Sequence, residues 1–75
     1  MRAHKYAVVI EKARGGYGAY VPDLPVCAAF AKTEPGVRKL IEEAIGFHIR
    51  GLRNDGVPIP RPRTRVEYVQ VPLAS

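Results

Sequence analysis

The residue types that carry most enzyme chemistry are scarce in this 75-residue chain. Its single serine is the last residue, Ser75, which excludes a serine triad. Cys27 could form a nucleophile pair with His4 or His48, but a lone cysteine in a short apolar strand is more often a small buried hydrophobe. Two histidines and one cysteine have no metal-ligand spacing, so we expect neither a metal nor a cofactor.

The seven acidic residues raise the possibility of a metal site of the kind found in nucleases. A two-metal site needs several carboxylates that converge from the centres and ends of strands. Only Glu11 and Glu67 fall in predicted strands, whereas Glu42 and Glu43 lie on the polar face of a predicted helix. A metal-dependent nuclease therefore has the least support from the sequence, and we do not expect an enzyme.

The basic residues indicate a second kind of function. Twelve Lys and Arg against seven Asp and Glu give a net charge of +5, which permits binding to RNA, DNA or an acidic protein. Five arginines could form a patch for phosphates, and they are Arg50, Arg53, Arg61, Arg63 and Arg65. The alternative is a solvated edge whose charges prevent edge-to-edge pairing. Both interpretations stay open.

Length and hydropathy limit the number of domains and the kinds of segment that the chain can contain. A chain of 8.3 kDa has room for one core, so we expect a single domain over residues 1–75. The apolar run Tyr6–Ile10 is too short for the core of a signal peptide, and no run approaches the roughly 20 apolar residues that a membrane-spanning helix needs. With a single cysteine, a disulfide framework is excluded. We expect a cytoplasmic protein.

Three strands are predicted in the first half of the chain. Alternation and turn residues place them at residues 6–12, 17–21 and 26–31. Paired glycines at residues 15 and 16 supply the positive φ of a hairpin turn. Prolines 22 and 25 make the next connection a kinked loop. Tight turns between consecutive strands predict an antiparallel meander.

A long helix and a fourth strand complete the predicted fold. Thr33 is a good N-cap, an apolar period of 3.6 runs from Val37 to Leu52, and Gly56 is placed for a left-handed cap. Prolines at 58, 60 and 62 force an extended segment. Residues 64–71 then read as a strand parallel to the first. The predicted class is α+β with the order β-β-β-α-β.

One helix can cover only one face of such a sheet. The first predicted strand nevertheless has apolar residues on both sides, with Tyr6, Val8 and Ile10 opposite Ala7 and Val9. We therefore expect a second copy or a partner to cover the other face or an edge strand, as in a dimer or tetramer.

Two motifs resemble a known family. The segment Tyr-Val-Pro-Asp-Leu-Pro at residues 20–25 precedes the helix, and Asp-Gly-Val-Pro-Ile-Pro at residues 55–60 follows it. Together with residues 6–11, Gly16-Tyr17 and Cys27, they resemble HicB-like antitoxin domains over roughly residues 5–71. The resemblance implies a partial RNase H-like fold. It also implies a role as the antitoxin that binds a small HicA-like mRNA-cleaving toxin and covers its active site.

Under this hypothesis an aromatic and apolar loop contacts the toxin. We expect Tyr17, Tyr20, Asp23 and Leu24 at this interface, with Asp23 accepting from a toxin Arg or Lys. The alternative is that the tyrosines pack on the sheet and that Asp23 caps its proline-flanked turn.

Three features depart from the family pattern. Val26 stands where the family usually has glycine before the cysteine, and Glu34-Pro35-Gly36 replaces the usual helix start. Many members also carry a C-terminal DNA-binding domain, whereas this sequence ends just after Pro72, so we expect a stand-alone form. The charge of +5 is also unusual for an inhibitor of a basic RNA-binding toxin, which would gain from being acidic.

Overall fold

The structure, a computed structural model, describes residues 4–74. Three strands precede one helix: β1 (Val9–Ala13), β2 (Gly16–Tyr20), β3 (Ala28–Ala31) and α1 (Glu34–Asn54). The strands form one antiparallel sheet in the order β1-β2-β3. The predicted meander followed by a helix is therefore confirmed, with strand boundaries shifted by one to three residues.

The hairpin between β1 and β2 has a loop of two residues, because Ala13 pairs with Gly16. Gly15 has a φ of +82°, which a residue with a side chain rarely adopts. Gly16 is required for another reason, since a Cβ at this position would collide with the carbonyl oxygen of Ala31 in the neighbouring chain segment. Gly15 thus permits the tight turn, and Gly16 lets β3 approach the hairpin closely.

Helix α1 begins and ends as its sequence predicts. The backbone N–H of Gly36 donates to Oγ1 of Thr33 at 3.0 Å, which is the expected N-cap bond. At the other end Gly56 has a φ of +69°, and the N–H of Val57 donates to the carbonyl of Leu52 at 2.9 Å. The 21 residues between these caps make a rod of about 30 Å.

The core lies between one face of the sheet and α1. The buried apolar residues come from β2, the loop after it and the first half of the helix, and they are Ala19, Val21, Leu24, Cys27, Val37 and Ile41. Tyr6, Val8 and Ile10 pack against them from the first extended segment, as their spacing predicts. The opposite face of the sheet has no covering element within residues 4–74.

The segment after α1 is extended but forms no strand. Residues 57–74 carry no ladder pairing, so the predicted fourth strand at residues 64–71 is not formed in the single chain. The physical reason is that alternation favours an extended backbone, whereas a strand also needs a neighbour for its N–H and C=O groups. Residues 65–74 are exposed throughout, and we call them the arm.

Candidate interaction surface

The predicted contact residues Tyr17 and Tyr20 lie on opposite faces of the sheet. Register places Tyr17 beside Lys12 and Ala31 on the helix face, where it packs against the core. Tyr20 lies beside Val9 and Ala28 on the other face and is 45% exposed. The two tyrosines therefore do not form one stacking surface.

The other two predicted contact residues have structural partners. Leu24 is 1% exposed and belongs to the core. Asp23 accepts three hydrogen bonds from the segment after α1: Oδ2 from the N–H groups of Arg63 and Thr64, and Oδ1 from the Thr64 hydroxyl, each at 2.9 Å. The carboxylate thus anchors a segment 40 residues away, which sequence reasoning did not foresee.

The hydrogen bonds favour the ionised form of the Asp23 carboxylate. The Thr64 and Arg63 backbone N–H groups hold the pKa of Asp23 below its ordinary value. Tyr6 lies close by and donates from Oη to the carbonyl of Pro60 at 2.5 Å. Burial, and then the negative charge of Asp23, raise the pKa of Tyr6, so its hydroxyl keeps the proton that this bond needs.

The sheet face opposite α1 is an exposed apolar surface, which we call the open face. Two rows of paired residues form it, Val9-Tyr20-Ala28 and Glu11-Gly18-Phe30. Phe30 is 54% exposed and was not among the predicted site residues. The alternation of β3 contained the signal, because Phe30 falls between two alanines that face the helix. Glu11 places one carboxylate in this surface.

Val26 adds a second exposed apolar group in the loop before β3. Its φ is +57°, a left-handed conformation that is costly for a β-branched residue, and its side chain is 96% exposed. Bonds from Val21 N–H to the Cys27 carbonyl (3.1 Å) and from Cys27 N–H to the Leu24 carbonyl (3.2 Å) hold the loop around it. The glycine expected at this position would adopt this backbone without strain.

Comparison with known proteins identifies the fold's relatives. Residues 6–73 match the family described as the HicB-like antitoxin of bacterial toxin–antitoxin systems. This chain belongs to that family. It is also 34% identical over 67 residues to a 14.9 kDa protein in the rep-hol intergenic region of Haemophilus phage HP1. That match covers 89% of this chain and 50% of the phage protein, so the chain spans about half the length of this relative.

The first motif of this HicB-like chain binds the segment that directly follows the second motif. Asp23 of the first motif and Tyr6 bind the backbone at and just beyond the second motif, through Pro60, Arg63 and Thr64. These bonds hold the segment after α1 against Tyr6, three residues before β1, and against the loop that carries Asp23. Within the first motif, Val21, Asp23 and Leu24 are used to build the domain, whereas Tyr20 reaches the open face.

The five arginines of the predicted patch are all exposed: Arg50, Arg53, Arg61, Arg63 and Arg65. Arg65 forms an ion pair with Glu67 at 2.9 Å, the one ion pair within residues 4–74. The other four guanidinium groups stay available to a phosphate. The structure thus leaves the basic segment of this HicB-like chain open to solvent.

Residues 4–74 offer few side chains placed for catalysis or metal binding. Cys27 is buried, and burial raises the pKa of its thiol, which fits the predicted role of a small core residue. Residues 4–74 contain no cluster of three or more His, Cys, Asp or Glu side chains placed to hold a metal ion. In the same range, α1 lacks the continuous apolar stretch with which a helix would cross a membrane.

Proposed function

We propose that this chain is the antitoxin of a toxin–antitoxin pair and acts by binding. It covers the active site of a small HicA-like mRNA-cleaving toxin in the cytoplasm and has no chemistry of its own. The partial RNase H-like fold implied by the family resemblance belongs to the same proposal. Family membership over residues 6–73 supports the antitoxin role.

The observation that carries the proposal is the open face. A small domain that leaves Tyr20 and Phe30 about half exposed on one face of its sheet has an apolar surface suited to a protein partner. Aromatic side chains at the centre of a buried interface supply much of its binding energy. Among the predicted contact residues, Tyr20 is the one we place in direct contact with the toxin.

Asp23, Leu24 and Tyr17 support this surface from behind. Leu24 and Tyr17 pack in and against the core, and Asp23 holds the segment after α1. Glu11 takes the role first expected for Asp23, because its exposed carboxylate lies in the same row as Phe30 and can accept from a toxin Arg or Lys.

The net charge of +5 makes a testable contribution to this interaction. A toxin that binds RNA carries basic groups, so long-range repulsion slows its encounter with a basic antitoxin. Added salt screens this repulsion. Toxin association should therefore become faster, or stay constant, between low and moderate salt.

The experiment measures binding to a purified HicA-like toxin and inhibition of its mRNA cleavage. We expect the double change Tyr20→Ala and Phe30→Ala to weaken binding at least about 10-fold, as the loss of one interface hot spot does. The matched control is Phe47→Ala, because Phe47 is 75% exposed but lies on α1. Unchanged affinity in the folded double variant, or an equal loss in the control, would contradict the proposed surface.

A second function, binding of RNA or DNA, is supported by the four unpaired arginines, Arg50, Arg53, Arg61 and Arg63, together with Arg65. It predicts the opposite salt dependence: for duplex DNA, log affinity falls against log salt with a slope of about −0.9 per phosphate contact. A fluorescent duplex titrated at several salt concentrations tests it. Binding that stays flat with salt, or survives replacement of the five arginines by glutamine, would exclude this function.

A further inference from the structure

The arm projects from the rest of the molecule. The radius of gyration is 14.9 Å, against about 11 Å for a compact chain of this length, and the long axis measures 55 Å. The arm nevertheless carries large apolar residues that are all exposed: Val66, Tyr68, Val69, Val71 and Leu73. Ten extended residues with apolar groups on both sides are suited to a place within a sheet.

The same chain has an unfilled place for a strand. Helix α1 packs mainly across β3 and β2 and touches β1 least. Two grooves of about 250 and 290 Å³ therefore remain between the first extended segment and the helix. The apolar residues Val8, Ile10 and Ile41 line one groove, with Arg38 and Glu42 at its side. Tyr6, Ile45, Ile49 and Ile59 line the other, together with His4 and Arg53.

The outer edge of β1 borders these grooves. Among residues 4–74, β1 pairs with β2 alone, so the backbone groups on its other side have no ladder partner in that range. A strand added there would satisfy those groups and cover the isoleucines of α1 at the same time. β3 offers a shorter edge of four residues, and α1 already packs against it.

We propose that the arm of one copy adds as a strand alongside β1 of a second copy, and that the exchange is reciprocal. Val69 and Val71, which share one side of the extended arm, enter the grooves of the second copy. Tyr68, on the other side, then extends the open face. This interface does not depend on the toxin, and it gives the expected homo-oligomer a defined contact.

The anchor at Asp23 favours a second copy over the arm's own groove. Asp23 fixes the N–H groups of Arg63 and Thr64, and prolines 58, 60 and 62 stiffen the chain leading to them. Beyond this anchor residues 65–74 are all exposed, and the molecule is 55 Å long, which indicates an arm that leaves its own body. A two-fold exchange buries both arms with identical contacts and closes the assembly.

The first test measures molar mass by light scattering across protein concentration. We expect a dimer, and we expect Val69→Asp with Val71→Asp to weaken dimerisation about 100-fold or more, because two carboxylates would lose water and replace the valines against the isoleucines of the grooves. The matched control is Gln70→Asp, which changes the intervening residue on the other side of the arm. All these residues are exposed in the single chain, so the variants keep the monomer fold.

The second test distinguishes exchange from folding back. A mixture of isotope-labelled and unlabelled protein is examined for filtered nuclear Overhauser effects between the arm valines and Ile45 or Ile49. Effects between copies support the proposal. A monomeric wild type, a dimer unaffected by the aspartates, effects confined to one chain, or arm contacts that form only with added toxin would each overturn it.

Discussion

The body of the molecule (residues 6–64) and the arm differ in what holds each of them in place. In the body, Leu24 and Ile41 are almost completely buried, and even the extended stretch up to Thr64 is tied down by Tyr6 and Asp23. In the arm, Leu73 is 90% exposed, and the polar contact made by its side chains is the ion pair between Arg65 and Glu67. Similar residue types thus have opposite environments on the two sides of Thr64.

This difference shows that composition does not decide burial. Val66, Val69 and Val71 are as apolar as Val21 and Val37, but they have no helix or strand beside them in the single chain. Burial of an apolar side chain stabilises only where a second surface excludes water from it. In the body, α1 and the sheet supply that surface. For the arm, we propose that a second copy supplies it.

The largest expected effect comes from replacing matched leucines. Leu24→Ala should lower the free energy of unfolding by about 2–5 kcal/mol, because it removes a buried side chain and leaves a cavity. Leu73→Ala should change it by no more than about 0.5 kcal/mol under dilute, monomeric conditions. Urea unfolding followed by circular dichroism measures both. Equal effects in the two variants would show that the arm is packed in solution even when the protein is dilute.

Removing the Asp23 carboxylate should release the segment that joins the body to the arm. Asp23→Ala deletes the acceptor for the N–H groups of Arg63 and Thr64, so both amides should exchange with solvent as in an unstructured peptide. The control is Glu43→Ala, since Glu43 is an exposed carboxylate on α1. Hydrogen exchange measured by NMR checks the result. Retained protection of Thr64 in the Asp23 variant would assign the anchor to another group.

The same anchor should depend on pH on the acid side. The folded-state pKa of Asp23 is lowered by the backbone N–H groups of Thr64 and Arg63, while the unfolded chain keeps a value of about 3.9. Its contribution to stability is therefore complete only from about pH 5 upward, decreases as the pH falls through the unfolded value, and is lost once the pH has fallen below the folded pKa. The Thr64 amide shift, followed by NMR titration, should report this low pKa. A midpoint at or above 3.9 would contradict the role of these bonds, and Asp23→Asn should lack the transition.

The features of this molecule that the sequence predicts are those set by contacts between residues close together in the chain. Local signals predicted the hairpin glycines, the Thr33 cap and the Gly56 cap, because each depends on residues three or four positions away. The bond from Thr64 to Asp23 spans 41 residues and has no local signal. The site prediction grouped Tyr17 with Tyr20 by proximity in the sequence, although an odd separation within a strand places them on opposite faces.

The smallest predicted effect concerns Val26, an apolar side chain that lies within the body but is exposed like those of the arm. Its left-handed backbone costs roughly 1–2 kcal/mol, and glycine removes this strain while adding roughly 0.5–1 kcal/mol of lost chain entropy. Val26→Gly should therefore raise the free energy of unfolding by about 1 kcal/mol or slightly less. Since the side chain is 96% exposed, no packing is lost that could offset the gain. Val26→Ala keeps a side chain at the strained position and serves as the control in urea unfolding. A destabilised glycine variant would mean that the valine makes contacts in solution, and the open face beside Tyr20 is then the first place to look for them.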